Sequence, residues 1–212
     1  MILLSFFETF YQNIIETTWI EIIAVFFGLL SVWYAKKANI LVYPTGIISV
    51  LIYVYICFYA KLYADMGINS FYFLMSVYGW YMWTRKDDSR KVLSITWNNR
   101  KDQWIGIIAT IISYFLILGL IWIFKKDDTE YIGSYVPYVD SFTTAVFLVA
   151  MLLMARKKVE NWVYWIIGDV VSVPLYFLKG LVFTSFQYFV FLIIAMMGFY
   201  EWRRMVREFS NP

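Results

Sequence analysis

Histidine is absent from the 212-residue sequence. That removes the commonest general base and the commonest metal ligand. The single cysteine, Cys57, lies in an apolar segment, which excludes a disulfide framework and a cysteine-based metal motif. Charge is scarce too: 16% of residues are charged and 62% hydrophobic, where a soluble domain is nearer a quarter and a half. The first 18 residues carry Glu8 and Glu16 and no positive n-region, so no cleavable signal peptide is expected.

What is present is apolar sequence in long blocks. They run over 19–35, 40–60, 66–84, 104–124, 139–155, 160–178 and 181–202, and none contains a Lys or Arg. A helix needs roughly 20 apolar residues to cross a bilayer. The pattern therefore predicts an all-α integral membrane protein with seven transmembrane helices in one membrane domain over 1–212. Residues 2–16 are too short and too polar to span, so 1–18 is expected to form a short amphipathic segment in the interface.

Seven spans place the termini on opposite sides. One side would hold the N-terminus with Lys61, Lys125, Lys126 and Lys179. The other would hold fourteen basic residues, among them Lys36, Lys37, Arg85, Arg100, Arg156, Lys157 and Arg203. The basic side is cytoplasmic by the positive-inside rule, so the N-terminus is expected outside and the C-terminus inside. These clusters flank membrane helices and are not read as a nucleic-acid surface.

The chain also resembles itself. KKANILVYPTG (36–46) matches KKVENWVYWIIG (157–168) with Asn39 on Asn161, and GWYMW (79–83) matches GFYEW (198–202), three residues being lost between. Spans 1–3 (19–84) and 5–7 (139–202) then form two triplets, with 104–124 linking them. Three helices invert the chain and the fourth restores it, so the repeats are parallel, in a SWEET-like 3+1+3 arrangement with substrate at the repeat interface. In this alignment Asp169 falls opposite Ile47.

Span 6 carries a carboxylate where hydrocarbon is expected. Trp162, Trp165, Asp169, Ser172 and Tyr176 are spaced 0, 3, 7, 10 and 14, one narrow stripe at 100° per residue. An ionisable residue at that depth points inward and marks a pathway or ligand site. Pro174 frees a backbone carbonyl, tolerated where protein or a wet cavity satisfies it. Span 3 repeats the pattern with Asn69, Tyr72, Phe73, Ser76, Trp80 and Trp83, and Tyr188 takes the place of Asn69 in span 7. Aromatic faces attract cations and a carboxylate adds a charge-assisted hydrogen bond. Such a site suits a flat heteroaromatic cation with a polar appendage, and suits phosphate poorly. The expected binding residues are Trp162, Trp165, Asp169, Asn69, Tyr72, Ser76, Tyr176 and Tyr188.

An enzyme would need a nucleophile with its base, or a metal cluster. Asp169 is the one acidic residue deep in a span, so no catalytic residue, cofactor or metal is expected. A retinal photoreceptor would need a lysine inside the last helix, and span 7 has none. A scaffold or receptor gives no reason for Asp169.

WVYW (162–165), DVVSVPLYFLKG (169–180) and MSVYGWYMW (75–83) resemble the PnuC family of bacterial vitamin transporters, nearly the whole chain being covered. The resemblance implies inner-membrane uptake of an unphosphorylated vitamin, principally nicotinamide riboside, by facilitation, with a cytosolic kinase as the trapping partner. Relatives are associated with thiamine or riboflavin. It also implies that Trp162 and Trp165 flank the ligand and that Asp169 and Asn69 meet its head group. Here the sequence departs: nicotinamide riboside members tend to carry Gln in place of Asn69 and Asn in place of Asp169. A carboxylate can only accept hydrogen bonds, which suits thiamine, with its amino group beside a basic ring nitrogen. Nicotinamide riboside comes first from the family, and thiamine is the alternative from Asp169.

Overall fold

A computed structural model describes residues 18–86 and 93–210. The amphipathic segment expected over 2–16 lies outside them. The order is α1 (Trp19–Lys36), α2 (Val42–Tyr59), α3 (Tyr63–Thr84), α4 (Arg100–Phe124), the one-turn α5 (Thr129–Ile132), α6 (Val136–Ala155), α7 (Asn161–Leu178) and α8 (Val182–Ser210). Six of these are long and apolar enough to cross a membrane. The remaining long helix, α3, has 22 residues but carries Asp65, Asn69, Ser70 and Ser76. α8 extends past the expected end at 202. Arg204 pairs there with Glu201 and Glu208 at helical spacing, so the polar extension supports its own turns.

Local chemistry sets the ends. The Thr18 side chain accepts from the Glu21 N–H and that of Asn99 from the Asp102 N–H, each satisfying a donor the helix leaves unpaired. Backbone with positive φ turns the chain at Ala38, Lys61, Lys157 and Gly180. These turns recur 119 residues apart, Ala38 with Lys157 and Lys61 with Gly180. Helices α2 and α7 keep the same interval at both ends.

Packing keeps it as well. The Tyr43 ring lies on Gly79, and 119 residues on the Trp162 ring lies on Gly198. Trp83 Nε1 donates to the Met154 carbonyl at 3.2 Å, and Trp202 Nε1 donates to that of Ala35 at 3.0 Å. This register is unbroken. It places Asn39 opposite Lys158 and Asp169 opposite Val50, so the local match of Asn39 to Asn161 is three positions off. The loop after α1 resembles the later loop in composition but reaches its helix by a different residue.

Helix α2 packs between α1 and α3, and α7 between α6 and α8; across the middle, α1 meets α8 and α3 meets α6. Of the apolar windows, α6 is 61% buried and α4 11%, which makes α6 the central helix and α4 a peripheral one leaning on it. The core gathers at the basic end. Trp202 lies edge-on to Trp162 at 5.6 Å and tilted to Trp83 at 6.0 Å, and Tyr43 lies edge-on to Trp83 at 5.1 Å.

This close approach is testable. A methyl group at Gly198 would come within 2.6 Å of the Trp162 ring, and overpacking of that kind costs roughly 1–3 kcal/mol. Gly198→Ala is expected to lower the detergent-solubilised unfolding temperature by several degrees. Gly67→Ala, with nothing within 4 Å of the added methyl, is expected to hold or raise it. Equal behaviour of the two variants would refute the packing assignment.

Candidate substrate-binding site

The stripe on α7 faces inward but divides along its length. Trp162 is 1% exposed and belongs to the aromatic core at the basic end. Its indole N–H is buried without a partner among the described residues. One turn on, Trp165 stacks on Phe147 of α6, with centroids 5.3 Å apart and planes 29° from parallel. Phe147 stacks on Tyr188 of α8 (6.0 Å, 13°), and Tyr188 on Tyr176 of α7 (5.0 Å, 7°). From Trp165 to Tyr176 the helix rises roughly 16 Å. Three ring steps of 5–6 Å cover the same length, so the four rings form a column running nearly parallel to α7.

Asp169 lies between Trp165 and Tyr176 on α7, nearer Trp165, and is 2% exposed. It forms no ion pair or side-chain hydrogen bond with the described residues, although Tyr72 of α3 and Tyr188 lie close enough to feel its charge. One turn away the buried Ser172 hydroxyl also lacks a partner among the described residues. An apolar groove of about 460 Å³ between α4, α6 and α7 is a separate feature. Its α7 residue, Val171, is roughly 200° around the helix from Asp169.

The structure thus brings Trp165, Asp169, Tyr72, Tyr176 and Tyr188 together. It places three expected residues elsewhere. Trp162 lies in the core. Ser76 is buried against α2 near Gly46. Asn69 donates its amide to the Asp65 carbonyl of its own helix at 2.9 Å. Phe147 was not anticipated. The unbroken 119-residue register points to it, because the small pair Gly28 and Ser49 becomes Phe147 and Gly168. Both pairs are in contact, and the glycine admits the ring.

Past Tyr176 the column meets charge. Lys179, the C-cap of α7, lies 5.3 Å from the Tyr176 centroid. Its ammonium donates to both Asp140 carboxylate oxygens, at 2.9 and 3.0 Å. Tyr131 of α5 donates to the same carboxylate at 2.8 Å. Burial, and then Asp140, push the Tyr131 phenol well above its usual range, so it remains a donor. At the basic end Lys157 lies 4.5 Å from the Trp83 centroid, and burial lowers its ammonium pKa.

A sequence family described as nicotinamide mononucleotide transporter matches residues 18–204. The chain belongs to that family. The Escherichia coli (strain K12) nicotinamide riboside transporter PnuC is 29% identical over 91% of this chain and 88% of its own. The riboflavin/roseoflavin transporter RibM of Streptomyces davaonensis is 26% identical over 97% and 93%. A crystal structure of the vitamin B3 transporter PnuC, 21% identical, matches with a TM-score of 0.69 over 96% of this chain and 90% of that one, which fixes the shared fold. As a nicotinamide mononucleotide transporter family member, the protein is a multi-pass membrane protein whose named relatives move vitamins.

Proposed function

We propose that the protein is an inner-membrane facilitator for an unphosphorylated cationic B-vitamin, nicotinamide riboside, which a cytosolic kinase then traps. The observation that carries this reading is Asp169: a buried, unpaired carboxylate beside a column of aromatic rings. Leaving a charge uncompensated at that depth is costly. A flat cation compensates it and stacks on the rings, each such contact contributing roughly 0.5–2 kcal/mol. Trp165, Tyr72, Tyr176 and Tyr188 line this site, and Asn69 stands one turn from Tyr72 on α3 with its amide turned to the Asp65 carbonyl. Trp162 belongs to the core at the basic end and Ser76 lies against α2.

The 119-residue register supports seven spans built as two parallel triplets around α4, with the site in the second triplet and α3 approaching from the first. Fourteen basic residues against four support an external N-terminus and a cytoplasmic C-terminus.

Phosphate finds little here. No Lys or Arg lies along the column, and Lys179 at its end is already paired. The family's description names the mononucleotide and its PnuC relatives the riboside; the site's chemistry favours the latter. Asp169 keeps thiamine as the second reading, since a carboxylate accepts from an aminopyrimidine and has no donor for a carboxamide oxygen.

Uptake by proteoliposomes tests the proposal. Nicotinamide riboside is expected to equilibrate saturably, with a rate unchanged by an imposed proton gradient, and the mononucleotide is expected to enter at under about a tenth of that rate, the penalty of roughly 1.4 kcal/mol per tenfold being small for an unpaired phosphate. Comparable mononucleotide uptake would refute the exclusion of phosphate. A rate that follows the gradient would make Asp169 a proton carrier.

A further inference from the structure

The ion pair beyond Tyr176 belongs to one half of the molecule. At the same interval, the counterparts of Asp140 and Lys179 are Glu21 and Ala60, so the first half has the acid without the lysine. The pair therefore does not follow from the repeated helix geometry. It stands in the half that carries Asp169, at the end of the ring column.

Its chemistry is that of a filled cation site. A carboxylate and an aromatic face converge on one ammonium, the same two elements that receive a cationic ring at Asp169. Tyr131 fixes the carboxylate from the other side. Asp65 lies close enough to act electrostatically on both Tyr131 and Tyr176, which adds negative charge to this mouth. The side chains of Lys179 and Asp140 are 26% and 22% exposed. A partly solvated pair contributes little net stability, and exchanging one cation for another keeps both contacts.

We infer that Asp140 and Tyr176 form an entry subsite for the cationic ring of the substrate, with Lys179 as its tethered occupant. An arriving cation displaces the ammonium, rests on Tyr176, and passes to the column, of which Tyr176 is the terminal ring. The subsite screens for positive charge before Asp169 is reached. This inference rests on the column being the vitamin site.

Stopped-flow binding to the full chain in nanodiscs tests it. The probes are nicotinamide riboside and thiamine as cations, and the 1,4-dihydro form of nicotinamide riboside as the uncharged control. Lys179→Met is expected to speed association of the cation about 3- to 10-fold at low salt, with the gain fading as salt screens the mouth. Asp140→Asn is expected to slow it, and the uncharged form is expected to be indifferent to both changes. The same acceleration for the uncharged form would mean a simple steric plug and overturn the subsite. No change for the cation would overturn it too, while leaving the column intact. If the wild type binds neither cation, the column reading fails and the subsite falls with it.

Discussion

Asp169→Asn is expected to weaken thiamine binding about 10- to 100-fold while leaving nicotinamide riboside within a few-fold. A hydrogen bond to a charged group contributes roughly 1.5–3 kcal/mol. Thiamine's aminopyrimidine can form such a bond with the carboxylate and would form only a neutral one with an amide. Nicotinamide riboside exchanges partners instead. It loses the charge beneath its pyridinium ring and gains a donor for its carboxamide oxygen, so the two changes offset each other. Because Asp169 makes no side-chain bond with the described residues that the substitution would break, folding should be preserved, and titration calorimetry on purified protein reads the difference directly. If nicotinamide riboside is lost as well, Asp169 reads the amide hydrogens, a ribose hydroxyl or the ring charge, and the carboxylate does not discriminate between the vitamins.

The two tryptophans of WVYW are expected to fail differently. Trp165→Ala removes an end ring of the column. Stacking and cation–π contributions together amount to roughly 1–3 kcal/mol, so affinity should fall about 10- to 100-fold with little loss of thermal stability, since Trp165 is only half buried. Trp162→Phe should do the reverse. Its ring fills the space over Gly198 and meets Trp202 edge-on, so shrinking it opens a cavity in the core. The unfolding temperature should drop by several degrees while affinity stays within about threefold. A binding defect at Trp162 as large as that at Trp165 would place both rings against the ligand and refute their separation.

Much of this was legible in the sequence. Apolar blocks without Lys or Arg gave the long helices to within a few residues, because hydrocarbon thickness leaves little freedom in length, except at the end of α8, where a polar extension beyond 202 runs on to Ser210. Asp169 announced itself as a charge with no reason to be there. The stripe on α7 lies on one face of the helix, and its residues part along its length. Periodicity fixes a residue's angle around a helix, whereas Trp162 and Trp165 differ in height and in what stands opposite. Asn69 shows the same limit, since a short amide can turn back onto its own helix. Phe147 was hidden by a misregistered repeat. Matching Asn39 to Asn161 by composition shifted the alignment by three residues and obscured the exchange of Gly28 and Ser49 for Phe147 and Gly168.

The column of rings also bears on what happens between substrates. Trp165, Phe147, Tyr188 and Tyr176 stack in sequence, so under the proposed function neighbouring rings cover one another when no vitamin is bound. A flat ring entering between two of them parts one stacked pair and creates two. The ligand therefore gains about one pair's worth, roughly 0.5–1.5 kcal/mol, with the rest of its hold coming from charge. Release reverses this as the rings close behind the departing molecule. Under the proposed function, such a site trades grip for turnover: it would reset without cargo, and accumulation would fall to whatever reaction consumes the vitamin on the far side.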